Sequence, residues 1–459
     1  MINQFEVNNV TVKQVRSELF QAFCHVLERA KIPYVILSGY EGYPDDISSD
    51  VDFMVSESDF CKLPTLFSQP ELFHGANLVQ LLRHETTACY FILAKSVGSK
   101  IAFLHPDSAT DFRRGRLWQI AEDVLSTKRQ HPLGFWIPAA AKEFEYYLIK
   151  RIDKESVSSN HWSRLSRLFK EDRWGCTEIL KLRLNNQLAS VVSSALENNN
   201  VDMLNQIAPE LKLPLMASAK IEPIYKRLLS HLLDIKRKIG RIFQPTGLII
   251  AVLGPDGSGK TTVIEHLEHE LAQAFRKVLR FHLRPHFGKN GTGRGIVVNP
   301  HASPPRNWMA GVAKMVLFLT DYWVGYLFRI YPAKIQSTLI IFDRYFHDMV
   351  VDPKRYRLPA KFGLTKLFSV LIPEPDLWII LEASPASLVA RKNEIDIKTA
   401  KTLSIGYREV LKNKSNVMLI NTEIGIEETL AAANSYILEH LKDRTEQRLR
   451  SSILNSKVI

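Results

Sequence analysis

The chain has 459 residues, room for about three folded units at the usual ~150 residues each. A hydrophobic fraction of 46% and a charged fraction of 24% mark an ordinary globular protein and exclude a disordered or fibrous one. The net charge of +12 favours acidic partners without choosing among nucleotides, nucleic acid and anionic lipid. Cys24, Cys61, Cys89 and Cys176 are scattered without CxxC spacing, which argues against zinc and against a disulfide framework and fits a reducing cytoplasm. Met1 opens a polar segment with no signal-peptide apolar core. The most hydrophobic stretch, Met309 to Tyr331, carries Lys314, Asp321 and Arg329, so it is expected as a buried or interfacial helix and not a span.

Apolar residues at helical spacing (Val15, Leu19, Phe20, Phe23, Val26, Leu27) predict a first helix over 13–31. Tyr34 to Gly39 reads as a strand ending in a turn, and Ser49 to Val55 as a second strand. Asp50 and Asp52 are two apart, so on a strand both carboxylates leave one face. Like charges that close call for a cation, such as the paired metals that orient a triphosphate; the plainer reading is a solvated strand edge. Residues 139–240 read as helices, among them Ala139 to Lys154, Glu178 to Leu188 and Ile221 to Ile239, with polar breaks at 156–160 and 197–200. Lys220 to Arg241 holds seven basic residues against two acidic ones, a solvated face or a membrane or nucleic-acid patch. Gln244-Pro245-Thr246-Gly247 reads as a hinge.

Leu248 to Leu253 has the pattern of a buried strand, and Val263 to Leu271 that of an amphipathic helix. Between them stand Gly254, Pro255, Asp256, Gly257, Ser258, Gly259, Lys260, Thr261 and Thr262, the spacing of a phosphate-binding P-loop. Its glycines let successive N–H groups turn toward phosphate oxygens, Lys260 reaches the outer phosphates and Thr261 holds Mg²⁺, so ATP is the expected ligand. A strand at 277–283 delivers Arg284 to the carboxyl end of the sheet, where anionic substrates gather. The loop 287–307 has the composition of a lid or of an ordinary surface excursion. The strand at 338–345 ends in Asp343-Arg344-Tyr345, where Asp343 can bind Mg²⁺ and Arg344 a phosphate, or a structural carboxylate instead. A further strand at 375–382 leads into a helix at Pro385 to Lys392.

Two resemblances follow from these residues. The run helix, strand, Ser38-Gly39, then Asp50-Val51-Asp52, with Asp107 on a later strand, resembles the nucleotidyltransferase superfamily of the polymerase-β type over roughly residues 10–130. It implies that Asp50, Asp52 and Asp107 hold two Mg²⁺ and the Gly39 turn holds a triphosphate. Pro106, just ahead of Asp107, departs from it by removing a ladder donor. Pro-Asp-Gly-Ser-Gly-Lys-Thr-Thr, Asp343-Arg344-Tyr345 and Pro375-Asp376-Leu377 resemble the thymidylate kinase-like branch of the P-loop kinases over roughly residues 246–445. This resemblance implies that Asp256, Arg284, Arg344 and Tyr345 meet the acceptor, with Asp256 on its sugar and Arg284 and Arg344 on its phosphate, while Lys260 and Thr261 serve ATP and Mg²⁺. The family's arginine-rich lid is not evident, which leaves Arg391 or Lys392 for that charge.

The expectation is an α/β protein. A nucleotidyltransferase-like α+β domain (1–138) is followed by a helical connector (139–244). A doubly wound P-loop domain with a parallel sheet (245–445) and a C-terminal tail (446–459) complete the chain. The activity expected is ATP- and Mg²⁺-dependent transfer of a phosphoryl group to a small acceptor, a nucleotide or sugar phosphate, in the cytoplasm. Peripheral contact with a membrane or other anionic surface, and a homodimer, are both compatible with the sequence. The rivals are nucleotidyl transfer by the N-terminal domain and a non-catalytic ATP-binding switch.

Overall fold

A computed structural model describes residues 2–83, 85–114, 116–155, 157–285, 304–359, 363–392 and 396–456. The chain divides into two units, one of Met1–Lys95, Ala102–Lys238 and Arg444–Ile459, the other of Ser96–Ile101 and Ile239–Asp443.

In the first unit the helix Ile2–Arg29 begins well before the predicted start at residue 13. Its apolar stripe, Leu19, Phe20, Phe23, Val26 and Leu27, packs in one core with Tyr34, Phe53, Phe67 and Leu449. Six strands form the sheet: β1 (Tyr34–Ile36), β2 (Val51–Val55), β3 (Asn77–Arg83), β4 (Ala88–Val97), β5 (Lys100–Leu104) and β6 (Pro106–Ala109). Their order is β1-β2-β6-β4-β3, with β5 paired to β4. β2 and β6 are parallel, and their register sets Asp52 opposite Asp107. Pro106 is the first residue of β6, a position where a strand tolerates proline. The short strands β7 (Asp111–Arg113) and β8 (Leu117–Ile120) pair with each other, as do β9 (Arg129–Gln130) and β10 (Trp136–Ile137).

Helices Ala140–Asp153, Ser159–Glu171, Arg173–Arg183, Asn186–Glu197 and Val201–Ala217 follow. They bury Phe144, Trp162, Leu180 and Val192 in a core shared with Met54 and Trp118. The predicted helix over 178–188 is two helices. Leu184 is extended, and the Asn185 side chain accepts from the Leu188 N–H to start the second. The apolar period runs through this break; the capping asparagine marks it.

In the second unit, β11 (Leu248–Leu253), β12 (Lys277–His282), β13 (Thr338–Asp343), β14 (Leu377–Glu382) and β15 (Val417–Asn421) form a parallel sheet in the order β12-β13-β11-β14-β15. β11 is buried along its whole length, as its unbroken apolar run requires in a sheet covered on both faces. The chain leaves β11 for strands on one side and later for strands on the other, so the crevice at its carboxyl end is where a ligand is placed. The Asp376 carboxylate accepts from the Ile249 N–H at 2.8 Å and from Lys334 Nζ at 2.6 Å, fastening the start of β11.

The apolar stretch predicted at 309–331 is the helix Trp308–Gly325 continued by a π-turn at Tyr326–Ile330. Met315, Phe318 and Tyr322 are buried there, whereas Trp308 and Trp323 are exposed. Among the described residues no helix is long and apolar enough to cross a membrane. The predicted loop over 287–307 lies, up to residue 303, outside the described residues.

Candidate active site

Backbone geometry makes the P-loop. Gly254 has φ +147°, and a Cβ there would lie 2.5 Å from the Leu381 carbonyl oxygen, so a side chain is excluded both by conformation and by space. Gly257 (φ +83°) turns the loop, and Gly259 (φ +88°) leads into the helix Lys260–Glu270. The buried Lys260 folds back over the loop, its Nζ donating to the Gly254 and Pro255 carbonyls at 2.8 and 2.7 Å. Burial, and then the neighbouring Arg344, push its ammonium down to about 7. Ser258 Oγ is buried without a hydrogen-bond partner among the described residues. Thr261 and Thr262 are exposed in the first turn of the helix. A buried amino group aimed over the loop and an orphaned hydroxyl are the pairing that a bound phosphate chain completes.

Asp256 anchors a clamp beside this loop. It accepts from Arg344 Nη2 and, at 2.5 Å, from Arg355 Nη1, while Lys260 Nζ stands 3.8 Å away. Burial alone would raise the Asp256 carboxyl, but Arg344, Lys260 and Arg355 outweigh it and hold the group far below the usual carboxylate range. The other arm of Arg344 meets Asp348 at 3.1 Å. Asp348 is fully buried and also accepts from Tyr356 Oη at 2.5 Å and from Tyr407 Oη. Arg344 has φ +69°, a left-handed conformation unusual for a branchless cation at a strand end, held by its N–H bond to the Val252 carbonyl at 3.1 Å. Such strain, of order 1–3 kcal/mol, persists where surrounding contacts over-determine it. The guanidinium is therefore gripped from both ends.

Asp343 closes β13 in register with His282, whose Nδ1 lies 3.3 Å from Asp343 Oδ2. Burial raises this carboxyl, but the His282 contact and the nearby Lys260 and Arg344 leave it below its ordinary value, hence ionised.

Asp256, Lys260, Asp343 and Arg344 thus gather at one place, and Arg391 and Lys392 stand beside them. Arg391 Nη1 is 3.5 Å from the Gly257 carbonyl and 3.1 Å from Thr422 Oγ1. A Cβ on Gly257 would lie 3.5 Å from that of Lys392. Arg284 is engaged elsewhere: it pairs with Asp321, and its guanidinium lies 4.5 Å from the Phe318 ring centre. Tyr345 corrects the expectation of an acceptor contact. It is 2% exposed, donates to the Pro373 carbonyl and packs against Phe342 and Trp378. The left-handed turn at Arg344 ends the strand and sends Tyr345 into the core. Sequence reasoning missed Arg355, Asp348, Tyr356 and Tyr407. The one signal was Asp348, an acid four residues after Arg344.

The carboxylates of the first unit also meet. Asp50 Oδ1 accepts from Tyr90 Oη at 2.8 Å, and Asp52 Oδ2 from Lys150 Nζ at 2.8 Å. Burial, then Asp52 and Asp50, push the Asp107 carboxyl up to about 7. Gly39 turns at φ +83° beside a cleft of about 770 Å³ lined by Ser49, Tyr147, His161, Arg164 and Arg167. Lys150 already supplies the positive charge at Asp52, and among the described residues no group of three His, Cys, Asp or Glu is placed to hold a metal ion.

No family model matches the chain. It is similar to a probable thymidylate kinase of Sulfolobus acidocaldarius, 26% identical over 213 residues that cover 42% of this chain and 97% of that protein. It is also 32% identical over 149 residues to the thymidylate kinase of Xanthomonas campestris pv. campestris, covering 32% of this chain and 61% of that enzyme. A solved thymidylate kinase from Ehrlichia chaffeensis aligns with 17% identity and a TM-score of 0.29, over 43% of this chain and 98% of that one. The two sequence matches place homology to thymidylate kinases over part of the chain, consistent with a P-loop kinase.

Proposed function

We propose that the second unit transfers the γ-phosphoryl group of ATP to a small acceptor, a nucleoside monophosphate or a sugar phosphate, in the cytoplasm. The observation that carries this reading is the clamp Arg344–Asp256–Arg355 set against Lys260: two guanidinium groups fixed at the edge of a phosphate-binding loop. A nucleotide-binding switch has no need of them.

Transfer of this kind asks the protein mainly for position and for positive charge. The P-loop N–H groups and Lys260 hold the donor phosphates. Thr261 and Asp343 would hold Mg²⁺, which neutralises charge between the phosphates when bound. Arg344 and Arg355 orient the acceptor phosphate, with Asp256 keeping both planar groups aligned. Arg391 and Lys392 supply charge on the outer side of the loop.

Incubation with Mg-ATP and a mixed panel of nucleotides and sugars, read by mass spectrometry, tests the reading. A phosphate gain on one acceptor supports it; ATP binding with no phosphorylated product refutes it. Nucleotidyl transfer in the first unit is a second reading. It draws on the in-register pair Asp52 and Asp107 and predicts a nucleotidyl gain instead. The Lys150–Asp52 ion pair weighs against it.

A further inference from the structure

The helix Ile224–Phe243 has no buried residue along its 20 positions. Ile224, Leu228, Leu232, Ile235, Ile239 and Ile242 recur at helical spacing on one side, each between 45 and 75% exposed. Tyr225, Leu229 and Phe243 widen this face to roughly half the circumference at ~100° per residue. Arg237 and Arg241 lie opposite and turn to the protein, donating to the Arg83 carbonyl at 2.8 Å and the Ile335 carbonyl at 3.4 Å, while Lys226, Arg227 and Lys238 are exposed beside the apolar sector and Lys236 falls within it. Asp234 is the one acid within the helix, and Arg237 Nε takes it at 3.1 Å.

We propose that this helix lies in the surface of an anionic lipid bilayer, apolar face down, and docks the protein there peripherally. Charge decides between the possible occupants. A second copy laid apolar face to apolar face would bury Lys236 of both helices and crowd the flanking Lys226 and Lys238, at a cost in repulsion. Asp234 is taken by Arg237 and the Ile335 carbonyl by Arg241, which leaves Lys226, Arg227, Lys236 and Lys238 for a surface of anionic headgroups. The apolar sector is also too broad for the narrow a/d seam of a paired coil. A wide apolar face, a Lys/Arg-rich flank and low overall hydrophobicity are the marks of an interfacial helix. The inference stands apart from the phosphotransfer reading, because it uses no residue of the P-loop site.

Sedimentation of the full chain with vesicles of phosphatidylcholine, with and without phosphatidylglycerol, tests it. The protein should pellet with the anionic vesicles and stay in solution with the neutral ones. Raising salt from about 0.1 to about 1 M, which shortens the Debye length from ~10 to ~3 Å, should release it. Lys226→Glu with Lys238→Glu should weaken binding by at least roughly 25-fold, about fivefold for each cation lost. Leu228→Glu with Leu232→Glu should abolish it, while ATP binding and the circular dichroism spectrum stay unchanged. Absence of binding to anionic vesicles overturns the proposal. So does a concentration-dependent dimer that Leu232→Glu dissolves, since the face then covers a second copy.

Discussion

Asp348→Asn probes the grip on Arg344. Asp348 is fully buried, faces Arg344 Nη1 at 3.1 Å and accepts from Tyr356 and Tyr407. Burial raises its carboxyl, yet Arg344 and the two tyrosines keep it below the ordinary range, so it is a full negative charge in the core. Asparagine keeps the shape, removes the charge and leaves a cation without its inner partner. Breaking a buried pair on one side costs about 3–5 kcal/mol, and we expect the lower end, about 3, because Asp256 still faces Arg344. Tyr407→Phe removes one hydrogen bond to a charged acceptor and should cost about 1.5–3 kcal/mol. Equilibrium urea unfolding gives both numbers.

The functional consequence separates positioning from mere stability. Arg344 released from Asp348 shifts on the scale of an ångström, and misplacement of that size costs about 100-fold in rate. The KM for ATP, set by the P-loop, should change only a few-fold. Tyr407→Phe leaves Arg344 paired, so its kcat should remain within a few-fold of the parent at similar loss of stability. If Asp348→Asn unfolds like the parent or turns over at the parent rate, Asp348 does not position Arg344 and the clamp is misread.

His347 gives a pH dependence of definite sign. Its ring is buried against Trp378, Nδ1 lacks a partner among the described residues, and burial, with Lys414 beside it, pushes it down to about 3. The unfolded imidazole titrates near 6.5, so the folded form resists a proton that the unfolded form accepts, and stability falls as pH drops from about 6.5 toward 3. By pH 5 the loss is about 2 kcal/mol, at about 1.4 kcal/mol per unit. His347→Phe should remove that part of the acid sensitivity; equal urea midpoint shifts between pH 7 and 5 in both proteins would falsify this. Gly254→Ala meets the Leu381 carbonyl at 2.5 Å and should abolish ATP binding by calorimetry; retained affinity would mean the loop adapts. Arg164 is buried against Glu143 at 2.5 Å, and Arg164→Met should cost about 3–5 kcal/mol in thermal or urea unfolding, whereas Arg164→Met with Glu143→Leu and Tyr40→Phe, which also removes the hydroxyl that donates to Glu143, should recover most of it.

The P-loop was legible because its chemistry is local: three glycines and a lysine at fixed spacing, between a buried-strand run and a helix. Asp343 and Arg344 were legible for the same reason, as the polar end of an apolar strand. Arg355, Tyr356 and Tyr407 were not, because the irregular segment after β13 has no period and its partners are assembled by tertiary packing. Tyr345 was misplaced because a motif names neighbours in sequence, while the left-handed turn at Arg344 points them apart. The break at Asn185 was hidden under a continuous apolar period. In the first unit, spacing singled out Asp50 and Asp52 as candidates, but Lys150, about a hundred residues later, could not be placed against Asp52 without the fold.

The most direct test is to measure ATP-dependent product formation for Lys260→Ala and Asp50→Ala in the same assay. Lys260 lies in the loop of the second unit, and Asp50 among the carboxylates of the first. The account predicts that Lys260→Ala abolishes phosphoryl transfer while Asp50→Ala retains it. Loss of product in Asp50→Ala, with Lys260→Ala still active, would contradict it.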